Sequence, residues 1–327
     1  MGKGSTKKSE THSARQRAMN CLKPVAPVVL FTYNRIDHTM QTIHALSENL
    51  LAPYTDLIVY SDGPRKDSDT KKIQDVRTFL KEINGFKSVR IIEQERNRGL
   101  ARSIISGISA TFKSYDRVIV MEDDIVTSPL FLSFMNDALN LYEDEKKAWH
   151  ISGWNYPIDT DNLPCAFFWR VMNCWGWATW ANRWCHFRKE PARLVRQWNK
   201  RRIKRFNLDG VHDFWSQVVS NFHGRMDTWA VFWYATIFEN QGLCLNPTKS
   251  YVRNIGLDGT GIHCKRCSPL EKQSLNMKPC KDFPVRIEED CNAVERIKRY
   301  HERLKRPLYS RIKNKIMELF SPKPAVR

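Results

Sequence analysis

The chain has no apolar run close to the roughly 18–20 residues that a membrane-spanning helix requires, and Met1 to Asn20 is polar and basic with no apolar signal core. Nothing in it is built to cross a bilayer. It also lacks tryptophan before residue 149, a Gly-Lys-Ser/Thr phosphate loop, and any glycine between Thr32 and Ile36 after the first apolar run. The second absence argues against an ATPase, and the third against a sugar nucleotidyltransferase, which places a glycine-rich signature there. The nine cysteines are odd in number and irregularly spaced. That pattern predicts reduced thiols in a cytoplasmic enzyme rather than a disulfide framework. Cys264 and Cys267 form one isolated pair, too little for a zinc site.

What is abundant is positive charge, +18 over 327 residues. Its distribution is uneven: residues 1–27 carry +5, residues 294–327 carry +8, and the intervening body only +5. The excess therefore sits in appendages, and no nucleic acid is expected as the main ligand. The dense exception is Arg193 to Arg205, with seven basic residues and no acid, which reads either as a solvated helix face or as a ligand contact.

The first half alternates β-rich apolar runs with helical periodicity, the signature of a parallel sheet covered by helices. Strands are predicted at 28–32, 57–60, 89–92 and 118–121. Helices follow the first three, with Ile36, Met40, Ile43 and Leu46, then Ile73, Val76, Leu80 and Ile83, then Leu100, Ile104, Ile105, Ile108 and Phe112 at helical spacing. All eleven tryptophans lie from Trp149 to Trp233; they are core filler or sugar-stacking rings. Leu308, Ile312, Ile316 and Leu319 share one face of a basic helix predicted after Pro307, which fits an anionic leaflet or the chain's own domain. The organisation expected is a basic N-terminus (1–24), a nucleotide-sugar-binding half (25–148), an acceptor and catalytic half (149–268) and a C-terminal extension (269–327).

The most informative residues are Glu122-Asp123-Asp124, directly after the fourth strand. Open α/β sheets bind ligands beyond the carboxyl ends of their strands, and three adjacent acids there call for a cation. Hard oxygen donors suit Mn²⁺ or Mg²⁺. Asp62 closes the second strand, Asn97-Arg98-Gly99-Leu100 opens the third helix, and Trp149 to Asn155 and Gly176-Trp177 follow the acids.

This ordered set resembles the GT-A-fold nucleotide-sugar glycosyltransferases, in particular N-acetylglucosaminyltransferase I and related bacterial enzymes of surface-polysaccharide assembly, over roughly residues 25–265. The resemblance implies an α/β fold with a mixed, mainly parallel sheet flanked by helices, a Trp-rich acceptor side and a basic helical tail. It implies an inverting, metal-dependent transfer of a sugar from a nucleotide-diphosphate donor, a UDP sugar first among them, to a glycan or lipid-linked glycan. Thr32, Asn34 and Arg35 would seat the nucleoside, Asp62 would accept the uracil imide, and Arg98, Arg102, Glu122 and Asp123 would contact the donor. Asp124 and His263 would hold the metal. Asp227 would take the acceptor proton, with Asp213 as its competitor; an ordinary aspartate is ionised near neutral pH and can do so. The structural alternatives are an Asx turn for Asp62, solvent-facing arginines, helix caps for Asp213 and Asp227, and a surface histidine at 263. The location expected is the cytoplasm, peripheral on the membrane's inner face. A noncatalytic carbohydrate- or RNA-binding protein, or a nucleotidyltransferase, is the alternative function.

Overall fold

The computed structural model describes residues 24–258 and 273–320, the stretch 306–320 as backbone alone. The first half alternates strands β1 (Val28–Thr32), β2 (Asp56–Ser61), β3 (Ser88–Glu93) and β4 (Arg117–Glu122) with helices α1 (Ile36–Ser47), α2 (Thr70–Leu80) and α3 (Leu100–Thr111). A short strand β5 (Ile125–Thr127) and helix α4 (Phe131–Leu141) follow. The second half supplies β6 (Ala148–Ser152), β7 (Ala166–Trp169) and β8 (Trp177–Trp180), then helices α5 (Ala181–Trp184), α6 (Pro191–Gln197), α7 (Lys200–Phe206), α8 (Trp215–Phe222) and α9 (Ala230–Glu239). Strands β9 (Leu243–Pro247) and β10 (Val252–Asn254) and a long helix α10 (Cys291–Phe320) complete it.

Among the described residues one eight-stranded sheet runs in the order β3-β2-β1-β4-β8-β6-β9-β7. Its β3-β2-β1-β4 half is parallel, as the alternating pattern predicts. Strand β8 then enters antiparallel beside β4, so the second half of the chain extends the sheet that the first half begins. Strand β1 alternates between two cores, as do its neighbours β2 and β4, whereas the edge strand β3 has no fully buried residue. Val28 and Leu30 face α1, α2 and α4 with Val76, Leu80 and Phe131. Val29 and Phe31 face α3 and the tryptophan-rich helices. A sheet buried on both faces needs apolar residues at both parities, which is why these strands read as continuous apolar runs. Antiparallel β5 and β10 form a separate two-stranded ribbon.

Nine of the eleven tryptophans are buried, and Trp175 and Trp215 are half-buried. Core filling is thus their main role. Trp233 Nε1 donates to His150 Nδ1 at 3.2 Å, leaving His150 Nε2 to donate to the Asn173 carbonyl at 3.0 Å. Burial holds that imidazole neutral, with its pKa pushed down to about 3.

Two expectations are corrected. Cys165 and Cys280 are joined in a disulfide across 115 residues of sequence, so the cysteines are not all free thiols and the ground for a reducing compartment is removed. Spacing could not reveal the pair, because its partners meet only once segment 273–290 has folded back over β7. That segment is held by Asn276 N–H on the Ser250 carbonyl at 2.7 Å, the Tyr251 hydroxyl on the Lys278 carbonyl at 2.7 Å and Asp290 N–H on the Phe168 carbonyl at 2.9 Å. The terminal helix also begins well before Pro307, at Cys291, because Ala293, Val294 and Ile297 anchor its first turns in the core. The apolar face expected at 308–319 lies outside the described side chains. No helix among the described residues is long and apolar enough to cross a membrane.

Candidate active site

The carboxyl ends of β1, β2 and β4 lie side by side, with Thr32 opposite Ser61 and Phe31 opposite Glu122. This register brings Arg35, Asp62 and the acidic triplet to one edge, the place where open α/β sheets take ligands. The Arg35 guanidinium, rising from the start of α1, bridges two of the acids. Its Nη2 donates to Asp123 Oδ1 and, at 2.9 Å, to Asp124 Oδ2. Thr42 on α1 donates to the Asp123 carbonyl at 2.8 Å, which fixes the acid turn against the helix. Asp123 Oδ2 is buried with no hydrogen-bond partner.

Three carboxylates therefore share one guanidinium in a poorly solvated place. Burial first, then the charges of Asp124 and Asp123, push the Glu122 carboxyl up to about 8, with Arg35 pulling the other way. Burial likewise raises Asp123 against the pull of Arg35. Protonation is one way to relieve the surplus negative charge; a bound cation is another.

The second half of the chain closes this edge. Strand β10 pairs with β5, Asn254 opposite Ile125, and Ile255 N–H donates to the Asp124 carbonyl at 2.9 Å. Gly256 then passes so near that a Cβ on it would overlap Asp124 Oδ2 and crowd Arg35 Nη1. A side chain there would have to push Asp124 and Arg35 out of their present pairing. Two positions beyond, Asp258 Oδ2 meets His38 Nε2 at 3.3 Å. His38 stands one turn after Arg35 at the start of α1, and only the fold brings Asp258 to it from 220 positions further along the chain.

Asp62 behaves differently from its expected role. Its Oδ1 accepts from Gly63 N–H and Arg98 N–H, both at 2.9 Å, and its Oδ2 from Asn97 Nδ2 at 3.0 Å and Gly99 N–H at 3.1 Å. Four donors fill a carboxylate's capacity, so in this arrangement Asp62 anchors the 97–99 loop and has no lone pair to spare for a uracil imide. The turn alternative describes it better. The loop it fixes presents the exposed Arg98 and Arg102 at the start of α3. Asn34 is also turned inward, its Nδ2 on Asp69 Oδ1 at 3.3 Å, while the Tyr33 hydroxyl donates to Asp69 Oδ2 at 2.8 Å. That hydroxyl is the first cause holding Asp69 below the usual carboxylate range. Thr32 Oγ1 is buried and unpartnered.

Beside the acid edge lies a cleft of about 320 Å³ lined by Trp154, Tyr156, Asn173, Trp175, Gln217 and Tyr234, among others. Asn173 Nδ2 is buried without a partner, a donor in a wall that is largely aromatic and aliphatic. Cys174 links cleft to acids: it lines the first, and the charge of Glu122, after burial, is the next cause raising its thiol. Ala230 and Val231 of α9 border the same cleft. Asp227, three residues before α9, stands on the solvent side, its side chain 73% exposed and paired with Lys189. Asp213 is a helix cap, its Oδ1 accepting from Ser216 N–H at 3.1 Å. His263 lies outside the described residues.

Among the described residues no three His, Cys, Asp or Glu side chains form a ready-made metal cage. The chain offers a smaller donor set, Asp124 with Asp123, in which one carboxylate oxygen is unpartnered and another position is filled by the Arg35 cation. That set fits a hard dication which keeps water or phosphate oxygens in its remaining positions.

Among solved structures, the chain is similar to the mannosyltransferase PcManGT from Pyrobaculum calidifontis, in complex with GDP-Man and Mn2+, at TM-score 0.38 and 13% identity, over 71% of this chain and 76% of that one. It is similar to TarS of S. aureus at TM-score 0.28 and 14% identity, over 39% of this chain; it spans 21% of the length of TarS. No curated protein matches. The GNT-I family model matches residues 2–189, and with more than half of its length so matched, the chain belongs to the GNT-I family of glycosyltransferases.

Proposed function

We propose that this protein transfers a sugar, with inversion, from a nucleotide-diphosphate donor with uridine as the nucleoside to a hydroxyl of a glycan or lipid-linked glycan. The observation that carries the reading is the surplus of buried carboxylates at the end of β4, two of them bridged by Arg35, beside an aromatic-lined cleft. Asp124, with Asp123, would hold Mn²⁺ or Mg²⁺, and His263 is the further ligand the resemblance implies. When bound, that ion would supply positive charge against the departing diphosphate.

The chain's own groups have distinct tasks. Arg35 is already a cation among acids and is placed to meet a phosphate or the nucleoside; Arg98 and Arg102, on the loop set by Asp62, add reach for the donor. Thr32 contributes an unpartnered hydroxyl beneath the nucleoside position. The rings of Trp154, Trp175 and Tyr156 can stack on the apolar face of a sugar, and Asn173 can hydrogen-bond a hydroxyl. Glu122, holding its proton, lines the passage between acids and cleft. Asp227 is the base in this reading. It has to leave the half-buried Lys189 to reach an acceptor hydroxyl, and the exposure of Asp227 keeps the cost of that exchange small. The basic C-terminal helix would bring the enzyme to the anionic surface where a lipid-linked acceptor is presented.

A thermal-shift screen of nucleoside diphosphates with and without Mn²⁺ tests the reading. We expect one nucleotide to raise the melting temperature by several degrees only when the metal is present, and Asp124→Asn to abolish that gain. No shift with any nucleotide at millimolar concentration would overturn the donor assignment.

A further inference from the structure

The face formed by α6 and α7 carries the densest charge in the described body of the protein, and most of that charge is unanswered. Of its seven cations, two are neutralised internally: Arg193 and Arg202 both reach Glu239, at 2.6 and 3.4 Å. Arg196, Lys200, Arg201, Lys204 and Arg205 are exposed, and no acid pairs with any of them among the described residues. Helical geometry sorts them. Lys200, Arg201, Lys204 and Arg205 fall within an arc of ~140° on α7, while Ile203 and Phe206 point to the opposite side and pack into the core. Asn199 caps the helix, its side chain accepting from Arg202 N–H at 2.9 Å, and so fixes which way the arc faces.

The placement of these charges identifies the partner class. The five unanswered cations all stand exposed on two short helices, so the face reads charge density rather than the outline of a small anion. The neighbouring rings are turned inward: Trp198 stacks on Trp215 at 5.3 Å and on the Arg202 guanidinium at 4.6 Å, and Phe206 packs on Tyr234 at 4.2 Å. A single-stranded RNA platform needs aromatic faces open for base stacking, and this face has none. Helix α10 runs past the turn that follows α7, with Lys298 on Asp209 at 2.7 Å and Lys305 on the Val211 carbonyl. Its exposed Arg303 and Lys305 add cations beside that turn and Leu304 adds an exposed apolar side chain, while Arg299 is paired with Glu295 at 3.2 Å.

We propose that the α6–α7 face, extended by the first half of α10, is a docking surface for an anionic phospholipid leaflet. Attachment here is separate from donor chemistry, and its test does not depend on the proposed activity.

The test is flotation of the full chain with vesicles of phosphatidylcholine alone or with 30 mol% phosphatidylglycerol. Wild type floats with the anionic vesicles only, and less as salt rises. Replacing Arg196, Lys200, Arg201, Lys204 and Arg205 by Gln lowers the partition coefficient on the order of a thousand-fold, since each cation near an anionic surface is worth roughly five-fold. The melting temperature without lipid stays at the wild-type value, showing that the fold is intact. A second variant, R196K/R201K/R205K, keeps wild-type flotation because charge alone is read. Unchanged flotation of the Gln variant overturns the proposal. So does a Gln variant that loses binding to a single-stranded RNA oligonucleotide while still floating. Nucleotide-dependent thermal shifts should be the same in all three proteins, so failure here and failure of the donor assignment are told apart.

Discussion

The two halves of this chain bury opposite things. Around β1, β2 and β4 the first half buries Asp123 and Asp124, sets half-buried Glu122 and Arg35 beside them, and leaves their charges out of balance. From Trp149 to Trp233 the second half buries aromatic rings that find partners almost everywhere. Charge burial without compensation costs stability and is kept where chemistry needs it; aromatic burial provides the stability against which that cost is set. Substitutions in the two regions should therefore fail in different assays.

The largest effect is expected in the aromatic half. Trp233→Ala removes a fully buried ring and its hydrogen bond to His150, at a cost of about 3–5 kcal/mol. A melt followed by circular dichroism should shift down by roughly 10 °C, while the nucleotide affinity of the folded fraction is retained. Loss of nucleotide binding with an unchanged melt would break the comparison. At the acid edge, Asp124→Ala should do the reverse: sugar transfer falls about 100-fold or more, and the melting temperature holds or rises because one surplus carboxylate is gone.

Arg35→Ala sharpens the contrast within the site. Calorimetry should show nucleotide affinity about ten-fold weaker and Mn²⁺ affinity in the absence of nucleotide several-fold stronger, since the guanidinium no longer occupies the carboxylates. Parallel loss of both would reduce Arg35 to a loop brace. The smallest effect concerns pH. The folded chain holds the Glu122 proton up to about 8, whereas the unfolded chain releases it near the ordinary glutamate value. The folded state thus binds more protons across that interval, so this group's contribution to stability declines as pH rises from about 5 to about 8 and is level above. Glu122→Gln should flatten that part of the melting-temperature profile by a few degrees.

Much of the first half was legible because its signals are local. Each of the four strands predicted there matches an observed strand to within one residue at either end, since burial on both faces imposes continuous apolar runs on β1, β2 and β4 and the edge strand β3 keeps enough β-branched residues to be read. The acids were found because three consecutive carboxylates after such a run have few structural reasons. What sequence could not reveal was where side chains spend their hydrogen bonds. Asp62 stands where expected but is saturated by loop 97–99, and Asn34 is drawn to Asp69 by a helix start lying between β2 and α2. The disulfide, the Lys189–Asp227 pair and the His38–Asp258 contact join residues far apart along the chain, and nothing local marks them.

The passage of Gly256 across Asp124 has a consequence for how the molecule comes into being. A nascent chain that has emerged only as far as β4 already possesses its acids and its arginine, yet lacks the wall that a downstream glycine must provide. The acid edge therefore gains that wall only once residue 256 has been made, and in any hybrid built by exchanging the distal portion of this enzyme a side chain at that one crossing would have to displace Asp124 or Arg35.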